Sequence, residues 1–172
     1  VRLRKATAAD VPGLLALING YAERGLLLRR TEQSVRAVLD DFTVAEDGGA
    51  IVACGALTEL GPGLAEVRSL AVRDDHAGHG LGRRLVDHLL AEAARRGFAE
   101  VLALTRRVSF FDALGFTVTR RELYLDKLMV DCQACPRNLC CDETAMVRRP
   151  PADATATGEK EGEAPGAGAN LA

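Results

Sequence analysis

Between positions 81 and 96, apolar residues recur every four positions: Leu81, Leu85, Leu89 and Ala93, with Val86, Leu90 and Ala94 beside them. Arg83, Arg84, Asp87, Glu92, Arg95 and Arg96 fill the opposite side. That spacing predicts a helix with one face on a core, stopped by Gly97. A second helix is expected over about residues 8–22, with Thr7 as its cap and Pro12 in its first turn. A third follows Thr31 and carries Val35, Val38 and Leu39 on one face. The remaining apolar runs read as strands. "VRLRKAT" alternates, and "FTVAEDGGAIVACGALTEL" is a hairpin around Gly48 and Gly49. "AEVRSLAV" and "AEVLALT" end in nearly unbroken apolar runs, as strands covered on both faces do. "SFFDALGF" is a short helix ended by Gly115, and "FTVTR" and "ETAMVRR" supply the last two strands.

From Pro150 onward the pattern stops. "PPADATATGEKEGEAPGAGANLA" has no aromatic residue and almost no large apolar one, so burial cannot offset its ordering entropy. The expected organisation is one domain over residues 1–149 and a disordered tail over 150–172.

Composition narrows the function. The 172 residues are 48% hydrophobic with a formal net charge of -2, the profile of a soluble globular protein. A nucleic-acid binder would show a basic excess or a basic face read by aromatics, and neither is visible. No apolar run approaches the ~18 residues of a membrane span. "VPGLLALI" follows basic residues as a secretory signal would, but Asp10 precedes it and "NGYAER" follows, which favours an amphipathic helix and a cytoplasmic location. Lys5, Lys127 and Lys160 are the only lysines. Five cysteines in a cytosolic chain are expected as thiols or metal ligands.

The chemistry concentrates in "HAGHGLGRRLVDHLL" at residues 76–90, a glycine-rich turn between a buried strand and the long helix. Glycines at 78, 80 and 82 let the backbone approach a bulky anion, and the helix N-terminus aims its amides the same way. A plain packing turn is the other reading. No Lys-Ser/Thr follows, so this is not a Walker loop, and the spacing is not that of a dinucleotide fingerprint.

The order strand, two helices, three-strand meander, glycine loop, helix, buried strand, short helix, strand resembles the GNAT superfamily of acyl-CoA N-acyltransferases over about residues 1–149. "SLAVRDDHAGHGLGRRLVDHLL", "VLALT" and "FFDALGF" carry the likeness. The resemblance implies an α/β (α+β) fold with a mixed, mostly antiparallel sheet flanked by helices, whose split strands form an acetyl-CoA cleft. It implies that His79, Gly80, Leu81, Gly82 and Arg83 bind the coenzyme A pyrophosphate and that Leu70, Ala71 and Val72 line the pantetheine arm. Ala77 departs from the superfamily, which usually has Arg or Gln there. Within the superfamily the chain looks most like short, single-domain N-acetylglutamate synthases, through "YAERGLLLRR", "DFTVAE", "ACGAL", "AEVRSLAV", "LALT" and "DCQACP…CDETAMV". Bacterial relatives often carry an amino-acid kinase domain, for which 172 residues leave no room.

That likeness implies direct acetyl transfer from acetyl-CoA to the α-amino group of L-glutamate in a ternary complex, as in arginine biosynthesis. Glu66 is the expected base, on the strand leading to the coenzyme site, and Thr105 the expected hydroxyl at the leaving sulfur. A tyrosine often takes that second role, but the equivalent position here is Phe111. Arg30 and Arg68 are the expected carboxylate clamps, since strand alternation puts Glu66 and Arg68 on one face. Arg29, Arg106 and Tyr21 are weaker pocket candidates. An exposed strand glutamate and a strand-end hydroxyl are the bland alternatives for Glu66 and Thr105. Cys132, Cys135, Cys140 and Cys141 leave reduced thiols, structural zinc and a disulfide open, in that order. Cys54 reads as a small core residue and His88 as solvated. His76 and His79 read as a loop pair beside the phosphates. A homodimer is compatible with the sequence. Two other functions stay open: transfer to another amino acid, small amine or peptide N-terminus, and a non-catalytic coenzyme A sensor or thiol/metal module.

Overall fold

The computed structural model describes residues 1–137 and 141–152. Cys140 and residues 153–172, the greater part of the expected tail, therefore lie outside the described residues. Seven strands form one sheet: β1 (Arg2–Lys5), β2 (Phe42–Asp47), β3 (Ala50–Gly61), β4 (Leu64–Val72), β5 (Glu100–Thr105), β6 (Thr117–Val118) and β7 (Thr144–Arg148). Their order is β1-β2-β3-β4-β5-β7-β6, and every pairing is antiparallel except β4 with β5. The expected mixed, mostly antiparallel sheet flanked by helices is the observed one. The expected strand "FTVTR" is reduced to two paired residues.

Helices cover the two faces. On one side α1 (Val11–Glu23) sets Val11, Leu14 and Ile18 against Phe42, Val44, Cys54 and Ala56. Its start is fixed by Asp10, whose buried carboxylate accepts from the Thr7 amide at 2.7 Å and hydroxyl at 2.9 Å, and from Arg4 at 2.6 Å. The Arg4 guanidinium first of all, and the Thr7 amide with it, hold that carboxyl far below the usual carboxylate range against the opposing effect of burial. α2 (Glu32–Arg36) is shorter than the apolar spacing suggests; Val35 is buried, while Val38 and Leu39 fall in a turn and a 3-10 segment after it. Thr31 caps it, accepting from the Ser34 amide at 3.1 Å.

On the other side α3 (Leu81–Arg95) delivers the predicted face, with Val86, Leu89, Leu90 and Ala93 packed on Leu57, Ala65 and Val67. α4 (Val108–Asp112) adds Phe111, edge-on to Phe110 and Phe116. Among the helical pieces with no counterpart in the sequence reading are 3-10 turns at Asp74–His76 and Arg121–Leu123 and α5 (Leu125–Lys127), continued by a π turn over Leu128–Cys132.

Leu89 is fully buried, and its Cδ1 would stand 3.1 Å from a Cβ at Gly55, so the helix sits hard on β3. Leu89→Ala should therefore cost about 2–5 kcal/mol through lost burial and a residual cavity. Chemical denaturation would show it as a lower midpoint with an unchanged slope.

Candidate active site

The site begins where a strand pair ends. β4 and β5 run parallel and pair at only three positions, the last being Glu66 with Leu102. Beyond them β5 pairs with β7 on its far side and β4 with β3, so the facing edges of residues 67–72 and 103–105 diverge. This is the split expected for "SLAV" and "VLALT". A bulge adds to it: Ala56 pairs with Arg68 and Cys54 with Ala71, so Ser69 and Leu70 share the place opposite Gly55. Ser69 has φ +50°, the one non-glycine residue in the left-handed region among the described residues. Cys54 braces it, donating its thiol to the Ser69 carbonyl at 3.4 Å. Burial pushes that thiol up to about 12, so it stays protonated and keeps donating.

The glycine loop closes one end of the split. Gly78 and Gly80 have φ +80° and +77°, and a Cβ on either would meet nothing within 4 Å. Gly80 is the N-cap of α3 and supplies no side chain to it. Among the described residues the amides of Gly78, His79 and Gly80 donate to no backbone carbonyl, and the first-turn amides of Leu81, Gly82 and Arg83 have no partner within a helix. Open space, free amides and a helix N-terminus fit a pyrophosphate. Gly82 plays another part, since its missing Cβ would face the Phe110 ring at 3.5 Å and Val72 at 3.6 Å. Half-buried Phe110, packed with Leu70 on the same core, thus joins the wall formed by Leu70, Ala71 and Val72. Phe111, the position read as tyrosine-equivalent, is buried behind it. The Arg83 side chain leans toward Asp87 at 3.7 Å, and Tyr21 donates its hydroxyl to the Val72 carbonyl at 2.5 Å.

Charged groups line the other end. Glu66 is only 3% exposed. One of its oxygens accepts from Arg68 Nε at 2.5 Å and from Lys127 Nζ at 2.8 Å. Arg68 Nη2 and Lys127 also reach the Asp131 carboxylate, the lysine at 3.2 Å. Arg30 stands close enough to Arg68 to feel its charge; burial first, then Arg68, pulls its guanidinium below the ordinary arginine value. Its backbone is pinned in both directions to the Asn19 amide group, and Nη2 donates to the Ser34 carbonyl at 3.0 Å. Its Nε is buried with no partner among the described residues. A buried donor without an acceptor among the described residues, within electrostatic reach of a second guanidinium and with the Asp41 carboxylate opposing it, is a candidate place for an anion.

Thr105 lies three residues past Leu102 on β5, about 10 Å along the strand. Its buried Oγ1 accepts from the Arg107 amide at 2.9 Å, the strand-end role, and its own hydrogen has no acceptor among the described residues. Glu143 was missed by sequence reasoning. Burial pushes its carboxyl above the usual range, with Arg106 and Lys127 opposing, yet it stays open to solvent, as a group lining a cleft does. Arg106 Nη1 and Arg137 Nη2 both donate to the Gly25 carbonyl, at 2.7 and 3.2 Å. Arg29 pairs outward with Glu23 at 3.2 Å and does not join the site. Cys132, Cys135 and Cys141 are free thiols, and no group of three metal-ligating side chains gathers among the described residues. His88 is half-buried rather than solvated.

His76 tethers the loop, bonding Asp75 at 2.8 Å and Asp47, the last residue of β2, at 3.1 Å. Asp75, then Asp47, raise its pKa above the ordinary histidine value. A raised folded value means the tether is complete below the unfolded value of ~6.5 and is lost as pH rises through the folded one. An NMR titration of the His76 ring should give a midpoint above 6.5, and Asp47→Asn should lower it.

Residues 18–116 match the family model described as Acetyltransferase (GNAT) family. An uncharacterized N-acetyltransferase from Chlorobaculum tepidum is 35% identical over 146 residues, 85% of this chain and 94% of its own. The amino-acid acetyltransferase of Mycobacterium tuberculosis is 36% identical over 118 residues, 67% of each chain. Among solved structures, the N-acetylglutamate synthase of Neisseria gonorrhoeae, complexed with coenzyme A and N-acetyl-glutamate, superposes with a TM-score of 0.75 at 26% identity. That match covers 87% of this chain and 35% of the synthase, so the chain spans about a third of that protein.

Proposed function

The chain belongs to the GNAT acetyltransferase family, and on that premise we propose that it moves the acetyl group of acetyl-CoA to the α-amino group of an acidic amino acid, L-glutamate first. The observation that carries the acceptor is Arg30. A guanidinium nitrogen buried with no partner among the described residues lies within electrostatic reach of Arg68 and of the Asp41 carboxylate, and Arg68 in turn holds Glu66. A second substrate carboxylate would answer the Arg30 nitrogen, which a neutral amino acid leaves without an acceptor, while the α-carboxylate and amine would exchange with the ion pairs that Arg68 and Glu66 already make. The named relatives support the same class, as an amino-acid acetyltransferase and a synthase holding N-acetyl-glutamate. A place in arginine biosynthesis, in the cytoplasm, follows from that reading.

The chain's residues divide the work. The amides of residues 78–83 hold the pyrophosphate, and Leu70, Ala71, Val72 and Phe110 guide the pantetheine arm into the split. Glu66 takes the proton from the acceptor amine, directly or through water. The free Thr105 hydroxyl hydrogen bonds to the departing sulfur, too weak an acid to do more. Acetyl transfer is direct, with both substrates bound at once.

Acetyl-CoA incubated with a panel of amino acids, with free thiol release followed, tests the proposal. Glutamate-dependent release is expected; release only with other amines would overturn the acceptor. Glu66→Gln should lower turnover by roughly 10²–10⁴-fold, less as pH rises and the amine loses its proton unaided. Arg30→Ala should raise the glutamate KM about ten- to a hundredfold with little change in kcat, as loss of one charge-assisted bond predicts. Arg68→Ala should change both constants, because Arg68 also holds Glu66 and Asp131. Gly80→Val should abolish measurable acetyl-CoA binding, since its φ of +77° strains a branched residue and the side chain enters the open space.

A further inference from the structure

The proposed reaction needs an empty place beside Glu66 and Arg68, and the chain fills it with its own groups. An amino acid carries an ammonium and a carboxylate side by side. Lys127 Nζ and the Asp131 carboxylate, four residues apart on the α5 and π-turn segment, lie 3.2 Å from each other. The ammonium rests on Glu66 and the carboxylate on Arg68, the two groups assigned above to the acceptor. The segment is an internal copy of an amino acid's head group.

The choice of lysine points the same way. Lys127 is one of three lysines in a chain with 22 basic residues. It is 7% exposed, whereas Lys5 sits at the surface against Glu92. A purely structural bridge between two carboxylates would be better served by the planar fork of arginine. A lysine amine becomes a nucleophile on losing its proton, which a guanidinium does not do in proteins. Lys127 is hydrogen-bonded to Glu66 at the last β4–β5 pair, so its nitrogen stands at the head of the split.

We propose that Lys127 is an internal acetyl acceptor: with acetyl-CoA bound and no external amine, the protein acetylates its own Lys127 Nζ. The inference rests on the acetyl-transfer reading above. Glu66 takes one proton from the ammonium, and the freed lone pair attacks the thioester carbonyl carbon. The carbon–nitrogen bond forms and the carbon–sulfur bond breaks. The second proton leaves nitrogen and ends on the coenzyme A sulfur, while the first passes from Glu66 to solvent. The products are acetyl-lysine, the free coenzyme A thiol and one proton. The new amide is uncharged, so the segment loses its ion pairs to Glu66 and Asp131.

The test is to incubate the full chain with acetyl-CoA alone and map acetylation by peptide mass spectrometry over time. Lys127 should gain one acetyl group at least tenfold faster than Lys5 and Lys160, the internal references for uncatalysed chemistry. Added glutamate should slow the labelling, because it competes for Glu66 and Arg68. Glu66→Gln should reduce it by roughly 10²–10⁴-fold, with folding checked by thermal melting. Lys127→Arg, which keeps the charge, should remove the label. Equal labelling of all three lysines, no label at Lys127, or an undiminished rate in Lys127→Arg would overturn the inference. Thiol release with glutamate, read in parallel, separates the two claims: turnover without labelling sinks this inference alone, and labelling without glutamate turnover sinks the proposed acceptor alone.

Discussion

Everything in the site depends on a parallel pairing that stops after three residues. Had β4 and β5 continued together, their facing amides and carbonyls would have satisfied one another and sealed the sheet. Divergence past Glu66 and Leu102 leaves two strand edges that need partners. The protein supplies one from within: Tyr21 donates to the Val72 carbonyl. The rest of the two facing edges has no strand partner among the described residues. The bulge at Ser69 and Leu70 makes the divergence local, and the Cys54 thiol steadies a backbone conformation that serine rarely adopts.

The hydrophobic core is arranged to hold that gap open. Leu85, Leu89 and Leu70 crowd the face of Gly55, opposite the bulge, where no side chain larger than hydrogen fits without displacement. α3 thereby acts as a strut: its buried face fixes β3 and β4, and its first turn presents free amides at the end of the split. One helix couples core packing to the proposed anion site, and its glycine cap and apolar spacing follow one another directly in the chain.

Much of this was legible in the sequence because the signals are local. The face of α3, the glycines at 78 and 80, and the apolar ends of β4 and β5 each declare themselves within ten residues. Glu66 and Arg68 fall on one face through simple alternation. What escaped depends on distance or phase. Lys127 reaches Glu66 across 61 positions from a segment whose neighbours Leu125 and Met129 are exposed, so no periodicity marks it. Phe110 and Phe111 are adjacent in a five-residue helix, too short to tell which ring turns inward. Glu143 stands just before β7 and becomes notable only when Lys127 and Arg106 fold within reach of its charge.

The Gly25 carbonyl receives Arg106 from the end of β5 and Arg137 from beyond the π turn. Three segments more than eighty positions apart in places thus meet on one oxygen, and Arg106 is held besides by Asp142 at 2.8 Å. An insertion or deletion in any one of them would draw its arginine or its carbonyl out of reach. The connection after α1, the turn after β5 and the cysteine-bearing stretch are thus tied to one another at a single carbonyl. A change of length that moved any one of the three segments would open this junction, unless the added residues looped out clear of it.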